Sequence, residues 1–452
     1  MAHPIATHQL ALEPRDLYRG RRERVLSALG EHSALVLAAY PERQLGRDTE
    51  IRYIVNPELY YLTGYREPEA VVVLRPGAEP PYTMFVRPRD PERERWAGAR
   101  GGAEAARAVF GADEAHPIQE LAERLPALLA DTDVIYARLD SAHPQLVELL
   151  SHALARGRST RARSGKGPHT LTDPGVLLDE LRVIKDEYEI AQVRRAAELS
   201  VAGFFDALPW IEAGHGEWEI EAALDAGFRK RGADGCAFPT IVAAGANATV
   251  LHYVRNDCAL QAGQLVLIDA GARYQMYCGD ISRTFPVSGH FSARQRVVYD
   301  AVLHAHDAAI AAARPGATVD DLHRGALEPL LNVLFELDMI DGKNLDQARD
   351  DEASYRQFIP HKTSHWLGLD VHDVGAYALR TGGRPLQPGM VLTVEPGLYI
   401  PQHCERAPTE LRGCGVRIED DILITDSSCE VLTAALPVRA HDIEALMQKR
   451  RA

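Results

Sequence analysis

The sequence predicts an α+β protein of two domains, and three local patterns predict it. In the first third of the chain, strand-like runs alternate with helical segments, as in an α/β domain. Beyond residue 178, two long segments carry clear helix-start signals. Around them lie pairs of strand-like runs joined by short turns, as in antiparallel sheets. The 452 residues suffice for two domains with ample core, and 46% hydrophobic content is ordinary for a globular protein.

In chain order, the first-domain strands fall at 34–39, 70–74, 82–86 and 133–137, with helices around 94–110 and 119–129. No catalytic constellation appears there. The polar stretch ARGRSTRARSGKGPHT at 155–170 reads as a connection. The boundary is therefore set near residue 178, which gives domains 1–178 and 179–452. The second domain opens with Asp186 followed three positions on by Glu189, a capping box, with Ile190, Val193, Ala197 and Val201 along one face. A second helix begins at Ser292 with Gln295 and ends near Arg314, where Pro315 and Gly316 stop it.

The chemistry is carried by the strands. In LVLIDAGARYQMYCGDISRTF two runs, 265–272 and 277–285, flank a short turn and read as a β-hairpin. With Tyr274 and Gln275 as turn residues, Asp269 lies opposite Asp280. Like charges directly opposite destabilise a sheet. Two carboxylates so placed, each close to a glycine (Gly271, Gly279), call for a cation between them. A Glu stands among apolar residues in each of two later runs, 390–395 and 415–425. In the latter, alternation puts Val416, Ile418, Ile422 and Ile424 on one face and Arg417, Glu419, Asp421 and Leu423 on the other.

His365 lies in FIPHKTSHWLGLDVHDVG, whose three histidines and two glycines suit a loop wrapped around a site. Asp269, Asp280, Glu395, Glu419 and His365 together suit two hard divalent cations, not structural zinc, which prefers thiolates and histidines. Four carboxylates balance two divalent ions and leave room for a bridging water that the pair can acidify to hydroxide. Asp269 alone would read as a strand-end residue satisfying turn amides. In the triplet at 419–421, Glu419 is the expected ligand, and Asp420 and Asp421 are assigned to the surface. His290, His304, His306 and His323 are assigned no functional role.

Composition excludes other classes. A net charge of −14, with Lys and Arg dispersed, argues against nucleic-acid or anionic-membrane partners. The start MAHPIATHQLALEPRD has neither a basic opening nor an apolar run, so a signal peptide or anchor is not expected and a cytoplasmic location is. Six dispersed cysteines without a C-x-x-C pair indicate free thiols. Cys278, two residues from Asp280, is the one that could report on oxidation near the site.

The segments HKTSHWLGLDVHDVG, VLTVEPGLYI, GVRIEDDILIT and LVLIDAG, with NPELYYLTGYREPEAVVVL and LRVIKDEYEIAQVRRAAE, together resemble the bacterial aminopeptidase P (Xaa-Pro aminopeptidase) family of pita-bread metallopeptidases. The resemblance covers nearly the whole chain. It implies a creatinase-like α/β domain followed by a catalytic domain of long helices on a strongly curved antiparallel sheet. By the same resemblance Asp269, Asp280, His365, Glu395 and Glu419 are ligands of two metal ions, usually manganese, with Asp280 and Glu419 bridging. Glu395 resembles the residue that takes the proton of the attacking water. His252 and His372 resemble the pair that contacts the scissile group, and His361 a wall of the proline pocket. Tyr399 and Arg417 match positions of a proton relay.

Trp96 resembles a residue that reaches toward a neighbouring subunit's pocket, although a plain core or interface tryptophan fits it equally; dimers or tetramers are expected. Lys362 departs from the family in standing where a glycine is common. The implied activity is hydrolysis of the bond before a proline at position two of a peptide. Three other readings remain open: a prolidase confined to dipeptides, a methionine aminopeptidase, and a catalytically silent peptide-binding module.

Overall fold

Runs rich in Val, Leu and Ala form two central strands of the first unit, Ser33–Ala38 and Val71–Leu74, buried on both faces. The structure, a computed structural model, describes residues 15–139, 144–341 and 345–449. The chain divides into two units, Met1–Leu178 and Asp179–Ala452.

In the first unit β1 (Ser33–Ala38), β2 (Val71–Leu74), β3 (Tyr82–Val86), β4 (Glu114–Pro117), β5 (Val134–Tyr136) and β6 (Thr170–Thr172) form one sheet in the order β4-β3-β2-β1-β5-β6. The middle pairs are antiparallel and the outer ones parallel. Among the described residues six helices accompany it: α1 (Arg15–Ala28), α2 (Pro57–Thr63), α3 (Pro91–Ala97), α4 (Gly102–Ala108), α5 (Leu121–Leu128) and α6 (Pro144–Ser164).

Two expectations are corrected here. The helix expected over 94–110 is two helices. The stretch expected to be a connection is mostly α6, and it ends at the edge strand β6. Leu146, Leu150 and Ala153 of α6 join the core, while its Arg-rich end faces solvent. That end carries no apolar stripe, so its helicity was hidden. Trp96, at 89% exposure on α3, is not a core residue.

Helix α7 (Gly175–Val183) crosses the boundary, and the longer helices of the second unit are α8 (Glu187–Ala207), α9 (Glu217–Arg229), α10 (Ala293–Ala312), α11 (Val319–Glu336) and α12 (Ala440–Lys449), with two short ones at Leu345–Asp350 and Glu352–Tyr355. The capping boxes read at Asp186 and Ser292 are both formed, and Thr318 with Asp321 makes a third at α11. Among the described residues no helix is long and apolar enough to cross a membrane.

The strands come in small antiparallel groups. β9 (Leu265–Ala270) lies between β8 (Ile241–Ala244) and β12 (Ile281–Pro286). β7 (Gly235–Cys236), β10 (Ala272–Tyr274) and β11 (Tyr277–Cys278) form a second group, and β13 (Ala378–Leu379) and β14 (Gly382–Gly383) a small hairpin. β15 (Val391–Val394) pairs with β18 (Asp420–Ile424), β18 with β19 (Cys429–Val431), and β16 (Gly397–Ile400) with β17 (Cys414–Arg417). Alternation decides what each strand offers. Val266, Ile268 and Ala270 of β9 enter the main core with the helices, Leu267 packs with Ile241 and Tyr399, and Asp269 follows Leu267 on that second face.

The hairpin register differs from the expected one. Gln275 and Met276, with φ of 48° and 71°, make the turn, and Tyr274 pairs with Tyr277. Asp269 therefore faces Ser282, and Asp280 is diagonal to it on the same side. The shift by one pair conserves the face, so both carboxylates still point the same way. A Cβ on Gly271 would sit 1.6 Å from the Gly279 carbonyl oxygen, so glycine is required where the two strands part.

Candidate metal centre

The five expected ligands converge. Asp269 extends from β9 and Asp280 stands just before β12. Glu395 follows β15, and Glu419 occupies the break between β17 and β18. His365 lies on a segment that pairs with β15: Thr393 N–H donates to the His365 carbonyl, and Glu395 N–H to that of Thr363. His365 Nε2 lies 3.5 Å from Asp280, 3.8 Å from Glu395 and 3.9 Å from Glu419. Donor atoms of Asp280, His365 and Glu419 all fall within 4.8 Å of one another.

Electrostatics show what this arrangement lacks. Burial first, then repulsion from Glu419 and Asp269, pushes the Asp280 carboxyl well above its ordinary value. Burial and Glu395 do the same to Glu419. Burial also raises Glu395, to about 8, against the pull of Arg417. His365 Nδ1 lies 3.1 Å from the Trp366 carbonyl oxygen and is the nitrogen that carries the proton, which leaves the Nε2 lone pair facing three carboxylates. Burial, with the neighbouring His372, lowers His365 to about 3. Asp269 Oδ1 and Asp280 Oδ1 are buried without a hydrogen-bond partner. Acceptors that converge on acceptors, with two oxygens orphaned, fit divalent cations and little else.

A hydrogen-bonded chain runs beside these groups. Arg417 Nη2 donates to Asp269 Oδ2 at 2.6 Å, its Nη1 to the Tyr399 hydroxyl at 2.8 Å, and its Nε to Ser282 Oγ at 2.8 Å. Ser282 Oγ donates to Glu419 Oε2 at 2.7 Å. Tyr399 Oη lies 2.8 Å from His361 Nε2, and since Arg417 can only donate, the tyrosine proton goes to His361. A cleft of about 530 Å3 opens over the carboxylates. Phe238, Ile241, Leu251 and Val254 give it an apolar wall, and His252, His361 and His372 are among its polar lining.

The two outer histidines share a construction. His252 is exposed, and its neighbour Tyr253 is buried with its hydroxyl donating to Glu217 Oε2 at 2.9 Å. His372 is likewise exposed, its ring centroid 4.4 Å from that of His365, and its neighbour Asp373 is buried.

Residues 191–426 match the model of metallopeptidase family M24, and residues 18–136 that of the aminopeptidase P N-terminal domain. A Xaa-Pro aminopeptidase of Escherichia coli (strain K12) is 38% identical over 440 residues, which cover 97% of this chain and 98% of that protein. The chain belongs to the aminopeptidase P family of M24 metallopeptidases. Solved aminopeptidase P structures agree in fold. The Pseudomonas aeruginosa aminopeptidase PepP superposes with a TM-score of 0.92 at 39% identity, covering 97% of this chain and 99% of that one. The zinc-substituted Escherichia coli aminopeptidase P in complex with product gives 0.92 at 37% identity, with the same coverage. Membership of the aminopeptidase P family makes the protein a metal-dependent aminopeptidase, and divalent ions go with it.

Some residues around the centre were misread or missed. Asp420 and Asp421 are 2% and 0% exposed, not surface groups. Although burial opposes its charge, Arg283 and His306 hold Asp420 well below its ordinary range. Arg283 Nη2 is 2.6 Å from Asp420 Oδ1, and its Nη1 donates to the Glu419 carbonyl at 2.5 Å. Asp421 Oδ2 accepts the Asp280 N–H at 3.1 Å. His306, given no role from the sequence, stands 3.0 Å from Asp420 Oδ2. Ser282 was missed altogether, although its place two residues after Asp280 puts it on the same strand face. Cys278 is fully buried, and burial pushes its thiol up to about 12, so it is no oxidation reporter.

Proposed function

We propose that this protein removes the first residue from peptides with proline at position two, using Asp269, Asp280, His365, Glu395 and Glu419 as ligands of two divalent ions, most simply manganese. The observation that carries the reading is the bare Nε2 of His365 facing the carboxylates of Asp280, Glu395 and Glu419. The chain's Escherichia coli and Haemophilus influenzae relatives, both Xaa-Pro aminopeptidases, support the substrate class. Prolidase and a silent binding module become outcomes of the test.

When bound, the divalent ions held by these five residues would supply a nucleophile at neutral pH by acidifying a water. The chain's own groups do the rest. Glu395 takes the proton that the attacking water releases and passes it to the departing prolyl nitrogen. That nitrogen belongs to a tertiary amide without a hydrogen, so subsites that depend on such a donor are useless here. His252 and His372 donate to the carbonyl oxygen of the first residue as charge develops on it. Asp269 receives the free amino end. The chain Asp269–Arg417–Tyr399–His361 fixes the Asp269 carboxylate in place and turns His361 toward the proline. A shaped cleft accepts one isomer of the Xaa-Pro bond, and we assign it the trans form.

The test compares an Xaa-Pro-Xaa tripeptide with an Xaa-Pro dipeptide, using protein stripped with chelator and then titrated with Mn2+. Turnover of the tripeptide that rises with two bound ions per chain is expected. Dipeptide-only turnover would replace this reading with a prolidase, and metal binding without turnover of either would leave a binding module.

A further inference from the structure

Next to His372 lies a group of charges that the reaction itself does not use. Asp373, Arg182 and Lys185 have side chains only 1–2% exposed. Lys185 Nζ donates to Asp373 Oδ2 at 2.9 Å and to the Arg182 carbonyl at 2.7 Å. Arg182 Nη2 donates to Asp373 Oδ1, and to Asp370 Oδ2 at 2.8 Å. Asp373 N–H donates to the Trp366 carbonyl, the same oxygen that accepts from His365 Nδ1. The backbone of Lys185 is fixed in turn, its N–H bonded to the Gly389 carbonyl just ahead of β15. There is no slack in the cluster, since a Cβ on Gly368 would lie 2.2 Å from Asp373 Oδ2.

Three charged side chains have been taken out of water here, which costs several kcal/mol per ion before pairing, and well-packed apolar side chains would fill the same space at no such cost. What apolar packing cannot do is fix direction. Two cations grip both oxygens of one carboxylate, so the Asp373 backbone cannot rotate, and the adjacent His372 is held over the cleft. We propose that Lys185 and Arg182 are positioning residues for hydrolysis, acting through Asp373 to set His372 against the substrate carbonyl.

This inference rests on the reading of His372 given above, and a double-mutant cycle separates the two. Manganese-loaded wild type, Lys185→Met, His372→Ala and the double variant are assayed on an Xaa-Pro-Xaa tripeptide, with metal content and melting temperature measured alongside. Lys185→Met is expected to lower kcat by about 10- to 100-fold, the range typical of groups that orient an active side chain. KM should stay nearly unchanged and two ions should remain bound. In the His372→Ala background the same substitution should cost almost nothing further, because its target is gone.

Lys185→Arg should recover most of the lost kcat. Should Lys185→Met fail to fold, Asp373→Asn, of equal size, enters the cycle in its place with the same expectation. An unchanged kcat, or losses that multiply in the double variant, would overturn the proposal while leaving the catalytic reading intact. Undiminished kcat in His372→Ala would overturn both.

Discussion

The floor and the rim of the cleft are made by opposite means. On the floor, Asp269, Asp280, Glu395 and Glu419 stand at strand ends or breaks, pinned by the backbone bonds of β9, β12, β15 and β18. At the rim, His252 and His372 are exposed on loops, and it is the next residue in each case, Tyr253 or Asp373, that is buried and bonded. The difference shows where each group's precision comes from. A carboxylate on the floor borrows it from the sheet, whereas a rim histidine borrows it from a buried polar neighbour.

The largest effects should come from breaking the floor. Asp280→Asn or Glu419→Gln should reduce kcat on the order of 10^3-fold, since several kcal/mol of charge stabilisation are lost with the cation. Metal content should fall below two ions per chain, which mass spectrometry of the intact protein would read. Next comes the rim. Truncation of His252 or His372 to Ala should lower kcat by about 10^2-fold, the usual cost of one donor to a developing oxyanion. Both ions should stay bound, and an equal loss of metal in these variants would erase the distinction between the two regions.

The anchor of the His252 loop sharpens the comparison. Glu217 accepts from Ala244 N–H, Asn247 Nδ2, the Tyr253 hydroxyl and Cys258 N–H. Glu217→Ala would leave buried donors unpaired and should destabilise the protein by about 2–3 kcal/mol or more in urea unfolding, with a lower kcat as well. A stable variant of normal activity would show that the loop is held by other means.

The floor also predicts how stability depends on pH. The Glu395 carboxyl ionises near its ordinary value of 4.5 in the unfolded chain, but burial raises it to about 8 in the folded one. Between those values the metal-free folded state holds a proton that the unfolded state has released. Stability that is fully present below about 4.5 is therefore lost as pH rises through 8, by about 1.4 kcal/mol per pH unit for this group. Asp280 and Glu419, raised in the same way, add to the trend. Melting of chelated protein should fall with rising pH, while melting of Mn2+-loaded protein should not. Parallel curves would mean that the carboxylates do not repel one another as described.

The smallest effect is expected from modifying an exposed thiol. Exposed Cys258 should react with a maleimide under native conditions at little cost to kcat, while buried Cys278 reacts only on unfolding.

Much of the floor was legible from the sequence because strand alternation is a local property. Val416, Ile418, Ile422 and Ile424 do lie in the core, and Arg417 and Glu419 face the cleft together. The register was not legible, because neither Gln275 nor Met276 is a residue that advertises a left-handed turn. Asp420 was read as a surface group because its partners, Arg283 and His306, lie more than a hundred positions away in the chain. The charges at Arg182 and Lys185 were passed over for the same reason. A helix end rich in Arg and Lys looks solvated until an aspartate from a distant loop is brought against it.

The turn at Gln275 and Met276 has a consequence for how such a protein can change over generations. Loop tips are ordinarily where chains gain and lose residues freely, since nothing rests on their length. Here one inserted residue would turn Asp280 from the cleft side toward the helices, and two would slide it one pair along from its companion. The span between the two aspartates is thus closed to the commonest kind of drift.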